Sequence, residues 1–131
     1  MGDEPRRIAI KRWLIKAGND LKTAQTMLDT DPPITDTVCF HSQQCAEKSL
    51  KAFLTFSDIH VEKTHYLPRL LELCRKVDSS FDDLTEPADS LTAYAVEARY
   101  PDDWREIPFD EAAQSVKNAE KIMAYIQRKL S

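Results

Sequence analysis

His41, Gln44, Lys48 and Lys51 recur at spacings of three, four and three, which on a helix places an imidazole, an amide and two ammonium groups along one stripe. Such a set suits an anionic ligand, a phosphate above all. The stripe runs beside Val38 and Cys45 rather than opposite the apolar side, and polar groups at a helix-packing boundary must be paired or must face a cleft. The competing arrangement is internal: Glu47 and Lys51, four residues apart, pair on a solvated face while His41 donates to a backbone carbonyl.

Three further places carry reactive side chains. Thr64-His65 stands before an apolar run, and Ala98-Arg99-Tyr100-Pro101 closes another. Arg99, one residue beyond the apolar stripe, can present its planar fork to a carboxylate or phosphate, or pair internally with Asp20 or Glu47. His60-x-Glu62-x-x-His65 holds metal-capable groups, but the spacing is that of neither H-E-x-x-H nor the zinc deaminases, and no C-x-x-C completes it, so no metal site is expected. Cys39, Cys45 and Cys74 are odd in number and sit among apolar neighbours, as small reduced core residues do.

Helices must position these groups. Ile10, Trp13, Leu14, Ala17, Leu21, Ala24 and Leu28 are spaced by three and four without a miss, predicting a helix over about residues 6–29 that stops at Asp31-Pro32-Pro33. A second helix follows Asp36, its expected N-cap, turns Cys39, Ala46, Leu50, Phe53 and Leu54 inward, and ends near Phe56. A third spans 66–77, with Pro68 in its first turn. A fourth opens at Thr85 and runs to Tyr100-Pro101, and a fifth follows Pro108 to the C-terminal Arg128 and Lys129. The fold expected is an all-α, up-and-down bundle of five helices, two of them long, in a single domain over residues 1–131. Polar links are placed at about 30–36, 57–65, 78–84 and 101–108.

Composition narrows the functions. With 131 residues, one core is available. Two glycines, Gly2 and Gly18, cannot supply the turns of a β protein or the phosphate loop of a nucleotide-binding βαβ unit, so any phosphate must be held by side chains projecting from helices. The net charge is −4, with no overall attraction for nucleic acid. Its distribution is uneven: residues 1–28 hold six basic against three acidic side chains, residues 78–111 eleven acidic against Arg99 and Arg105. A charged first dozen residues and the lack of a long apolar run point to no leader, no membrane span and a cytoplasmic location.

Taken together, these segments resemble the HEPN (higher eukaryotes and prokaryotes nucleotide-binding) family. The resemblance rests on Trp13, Ala17, Asp20-Leu21 and Ala24, on Phe40-His41, Gln43-Gln44, Ala46-Glu47-Lys48 and Leu50-Lys51-Ala52, on Thr64-His65, Leu67 and Leu70-Leu71, and on Ala98-Arg99-Tyr100-Pro101. It implies a helical bundle that forms a homodimer, often beside a minimal nucleotidyltransferase in a toxin–antitoxin-like two-component system. Many members are metal-independent ribonucleases whose site is an Arg followed four to six residues later by a His. Here no histidine lies beyond His65, so the acid–base partner is missing from its family position. Some partner nucleotidyltransferases modify a tyrosine after that motif, a position Tyr100 does not occupy.

Two readings follow. In the first the chain binds a nucleotide, ATP or GTP, or the nucleotidyltransferase, without catalysis, using His41, Gln44, Lys48, His65, Arg99 and Tyr100 and no cofactor. In the second it is a metal-independent ribonuclease, with RNA as substrate and an atypical site of Arg99 with His41 or His65. Apolar residues beyond one stripe, Val38, Phe40, Cys45 and Phe56 on the second helix and Ile122 and Tyr125 on the fifth, either form the dimer interface or serve a middle helix touched on two sides. If they form the interface, light scattering gives about twice the chain mass of 15.0 kDa; one chain mass at every concentration rejects it.

Overall fold

A computed structural model describes residues 3–95 and 105–131. Among the described residues five α-helices form the bundle: α1 Glu4–Leu28, α2 Thr35–Phe56, α3 Leu67–Val77, α4 Thr85–Leu91 and α5 Phe109–Leu130. Three of them, of 25, 22 and 22 residues, exceed five turns where two long helices were expected. α1 begins earlier than the apolar stripe because Pro5 is tolerated in its first turn, where its missing N–H costs nothing. α2 starts at Thr35, so Asp36 lies inside the first turn rather than capping it; its carboxylate accepts from the backbone N–H of Thr37 (2.9 Å). Among the described residues no helix is long and apolar enough to cross a membrane.

The central element is α2, which packs against α1, α3, α4 and α5. That position accounts for its second apolar face, since Val38 and Cys45 are fully buried within one chain, as is Ile122 of α5. Phe40 is half-buried and Phe56 is 46% exposed. Small residues let the long helices approach closely: Ala17 and Ala24 of α1, Ala46 of α2, and Ala112 and Ala119 of α5 are all fully buried. Gly18 sits opposite Met123, whose Cε would lie 3.6 Å from a Cβ at that position.

α2 ends without a glycine. Ser57 closes the helix, Asp58 takes a left-handed conformation (φ 58°), and the N–H groups of Asp58 and Ile59 donate to the carbonyls of Thr55 (3.1 Å) and Leu54 (2.9 Å). This is the double hydrogen bond usually built around Gly, here carried by one of the few side chains that tolerates a positive φ.

Residues 78–84, expected as a polar link, are in fact a 3-10 helix over Ser79–Leu84. Its Asp and Ser residues hide two apolar ones, Phe81 and Leu84, at a spacing of three, which is one turn of that helix. Both are fully buried. Phe81 stacks between Phe53 of α2 (centroids 4.5 Å) and Tyr125 of α5 (5.1 Å). Next to it Asp78 accepts from Lys129 (2.7 Å) and Ser80 (3.0 Å from N–H), and these donors, Lys129 first, hold its carboxyl down at about 2. α4 continues into a short 3-10 turn, Thr92–Tyr94; the rest of its expected span to Tyr100-Pro101 lies outside the described residues. Tyr94 and Arg105, on either side of that segment, both hold Glu111 in the first turn of α5, Arg105 at 2.5 Å.

Phe81 is therefore a keystone between α2 and α5. Phe81→Ala should lower the unfolding free energy by about 3–5 kcal/mol, read from urea unfolding; a loss below about 1 kcal/mol would show that the site collapses around the smaller side chain.

Candidate functional site

The polar stripe of α2 lies in the seam between α1, α2 and the loop before α3, and two carboxylates organise it. Asp20 of α1 is 8% exposed. It accepts from His41 Nδ1 (2.8 Å) and from Lys48 Nζ (2.5 Å). Glu47 of α2, 3% exposed, accepts from Lys51 Nζ (2.9 Å) and from His65 Nδ1 (3.0 and 3.2 Å to its two oxygens). Each buried carboxylate thus holds one lysine and one histidine. The Glu47 set is extended by Gln44, which donates to the Gln43 carbonyl oxygen (2.7 Å), and by Gln43, which donates to the backbone carbonyl of His65 (3.0 Å). Lys51 also lies over the indole of Trp13, 5.6 Å from the ring centre.

Local sequence explains each placement. Asp20 falls on the core-facing stripe of α1, three residues after Ala17 and four before Ala24, so its carboxylate enters the α1–α2 seam instead of solvent. His41 and Lys48 are two turns apart on α2 and reach it from both sides. Glu47 and Lys51 are four apart, and Gln43 is four before Glu47, so one ridge of α2 carries donor, acceptor and donor. The Glu47–Lys51 pair forms as its spacing predicts, but buried rather than on a solvated face. His41 donates to a carboxylate, not to a backbone carbonyl.

An ionised carboxylate only accepts, so Nδ1 of each histidine carries a hydrogen and donates it. For His41 the ring is largely enclosed; for His65 the side chain is 63% exposed. Lys48 and Lys51 are matched by Asp20 and Glu47, two ammonium groups to two carboxylates. Of the six expected ligand-contacting residues, His41, Gln44, Lys48 and His65 are brought together here. Arg99 and Tyr100 lie outside the described residues.

Other chemistries find less support. Glu62 of the His60-x-Glu62-x-x-His65 run is taken by Arg69 (2.9 and 3.2 Å), which pulls its carboxyl below the usual range. Among the described residues no three metal-capable side chains cluster. The three cysteines are buried and unpaired. Burial pushes the Cys45 and Cys74 thiols up to about 12 and raises Cys39 as well, so none offers a thiolate nucleophile.

Asp20, Glu47 and Gln43 organise the site, although the stripe of four polar residues does not include them. The signal available in the sequence is a charge on an apolar stripe: Asp20 among Ala17, Leu21 and Ala24, and Glu47 beside Ala46 and Leu50.

The residues that build this seam are those on which the family resemblance rests, and the HEPN domain family model matches residues 10–129. The chain belongs to the HEPN family. A relative from Methanocaldococcus jannaschii, named "Putative toxin MJ1304", is 29% identical over 89% of this chain and 85% of its own length. Two solved structures share the fold. One, described as ST0689, an archaeal HEPN homologue, has a TM-score of 0.74 at 25% identity and covers 93% of this chain and 98% of its own. The other, TT1696 from Thermus thermophilus, has a TM-score of 0.72 at 29% identity, covering 92% and 97%. The HEPN bundle expected from the sequence is thus the fold this chain adopts.

Because Glu47 and Lys51 are buried together, Lys51→Met takes the one lysine from a buried carboxylate and should cost about 3 kcal/mol, whereas Glu47→Leu/Lys51→Met should recover part of that loss. Urea unfolding of the single and double variants measures both; equal destabilisation in the two would contradict the pairing.

Proposed function

We propose that this HEPN protein is the helical component of a toxin–antitoxin-type pair and acts as a binding module, engaging a neighbouring minimal nucleotidyltransferase or its nucleotide, ATP or GTP, without performing chemistry itself. The observation that carries this reading is where the histidines stand. All three, at 41, 60 and 65, precede Arg99, none follows it, and His41 and His65 are held by Asp20 and Glu47. An Arg-His pair of the family kind therefore has no second member. The toxin-type context comes from family membership and from the name of the methanococcal relative. A bound nucleotide would meet the outer side of the seam at His41, Gln44, Lys48 and His65, with Arg99 and Tyr100 as its further expected contacts. Homodimerisation and a cytoplasmic setting belong to the same reading.

A second reading, metal-independent ribonuclease, draws on one observation. His65 is an exposed imidazole whose Nδ1 is fixed by a buried carboxylate, an arrangement that orients Nε2 as a general base. Arg99 would then stabilise charge on the phosphate.

Titrating ATP, GTP and the neighbouring nucleotidyltransferase into the purified protein by calorimetry separates the two. The binding reading expects heat from at least one of them and intact RNA after induced expression. Silence toward all three rejects it, and RNA cleavage abolished by Arg99→Ala or His65→Ala replaces it with the second.

A further inference from the structure

On the side of the bundle away from the polar seam, α1 and α5 leave a groove of about 490 Å³. Its floor is apolar: Leu14 on one wall, Met123 and Leu130 on the other, with Phe56 at the end of α2 among the lining residues. Ile15, 52% exposed, and Phe56, 46% exposed, present apolar surface to water there. Arg7 and Lys11, one turn apart on α1, also line it, and both are exposed. Among the described residues neither forms an ion pair. Five cations and no acidic residue occur between Pro5 and Asn19, in a chain whose net charge is −4.

We infer that this groove is a docking site for an amphipathic helix of a partner protein, one that carries carboxylates beside its apolar anchors. The two features must be satisfied together. A nucleic-acid backbone would meet the cations but leave the apolar floor in water, whereas an uncharged apolar segment would bury Arg7 and Lys11 without partners, which is costly. A second copy placed symmetrically over the groove would bring the four cations of two chains into one interface whose lining residues include no carboxylate. The dimensions suit a helix: the α1 wall runs from Arg7 to Ile15, about 12 Å at the helical rise. That length accommodates anchors at i, i+3 or i+4, and i+7. The inference rests on the partner-binding half of the proposed function and supplies the surface and the chemistry of that contact; it is separate from nucleotide binding at the seam.

The test uses the whole protein and a short fluorescein-labelled helical peptide with leucines at the anchor spacing and glutamates beside them, followed by fluorescence polarisation. Ile15→Glu and Lys11→Glu change exposed positions, and unchanged circular dichroism confirms that each variant folds. Each should weaken the peptide at least about tenfold, a loss of about 1.4 kcal/mol, and Lys11→Glu should gain affinity for the same peptide with lysines in place of glutamates. No binding of the glutamate peptide, equal binding of both peptides to the unaltered protein, or displacement of the peptide by a single-stranded RNA overturns the assignment. If Ile15→Glu leaves calorimetric binding of the nucleotidyltransferase unchanged, the groove is not its docking site while the proposed function stands; loss of that binding supports both.

Discussion

A carboxylate that is 3% exposed must find partners, and Glu47 finds four: Lys51, His65 and the amides of Gln43 and Gln44. Much of the site follows from that requirement. Lys51 is pulled down against Trp13, which connects α2 to α1. His65 is brought back from the far end of a ten-residue connection between α2 and α3, and Gln43 clasps its carbonyl. The loop is thereby tied to α2, a turn from Asp20 and its own lysine and histidine. A buried polar network of this kind specifies one register between α1 and α2, because sliding either helix by a turn would take Asp20 away from His41 and Lys48 and leave its carboxylate unmatched.

The same network alters the chemistry of the polar stripe. An imidazole, an amide and two ammonium groups on one face suggest an anion cradle when the helix is considered alone. In the bundle the anions are already present, supplied by Asp20 and Glu47. What the stripe retains is hydrogen-bonding capacity on its outer side and one exposed imidazole, His65, of fixed orientation. Among the described residues Arg7 and Lys11 of α1 have no ion-pair partner, so the chain separates a seam of matched lysines and carboxylates from a basic groove with an apolar floor.

The elements were legible because their signals are local. Apolar spacing of three and four, the Asp31-Pro32-Pro33 break and Pro108 located α1, α2, α3 and α5 to within about two residues, since those patterns act through the chain's own neighbours. The 3-10 turn at Ser79–Leu84 was not legible: Asp and Ser dominate its composition, and the burial that makes Phe81 decisive comes from Phe53 and Tyr125, 28 and 44 positions away. The N-cap of α2 moved from Asp36 to Ile34 for a related reason, the Ile34 N–H being anchored to the Met27 carbonyl (3.1 Å) across the loop.

By itself the sequence determined the helical class, the HEPN family and the residue types available at the site, because periodicity and motif are properties of neighbouring positions. It also settled that no histidine follows Arg99. Only the tertiary structure decided which charges neutralise which. Pairing between Asp20 and Lys48, or Glu47 and His65, depends on how α1, α2 and the loop meet in space, and a carboxylate's partner is chosen by distance across that seam rather than by separation along the chain.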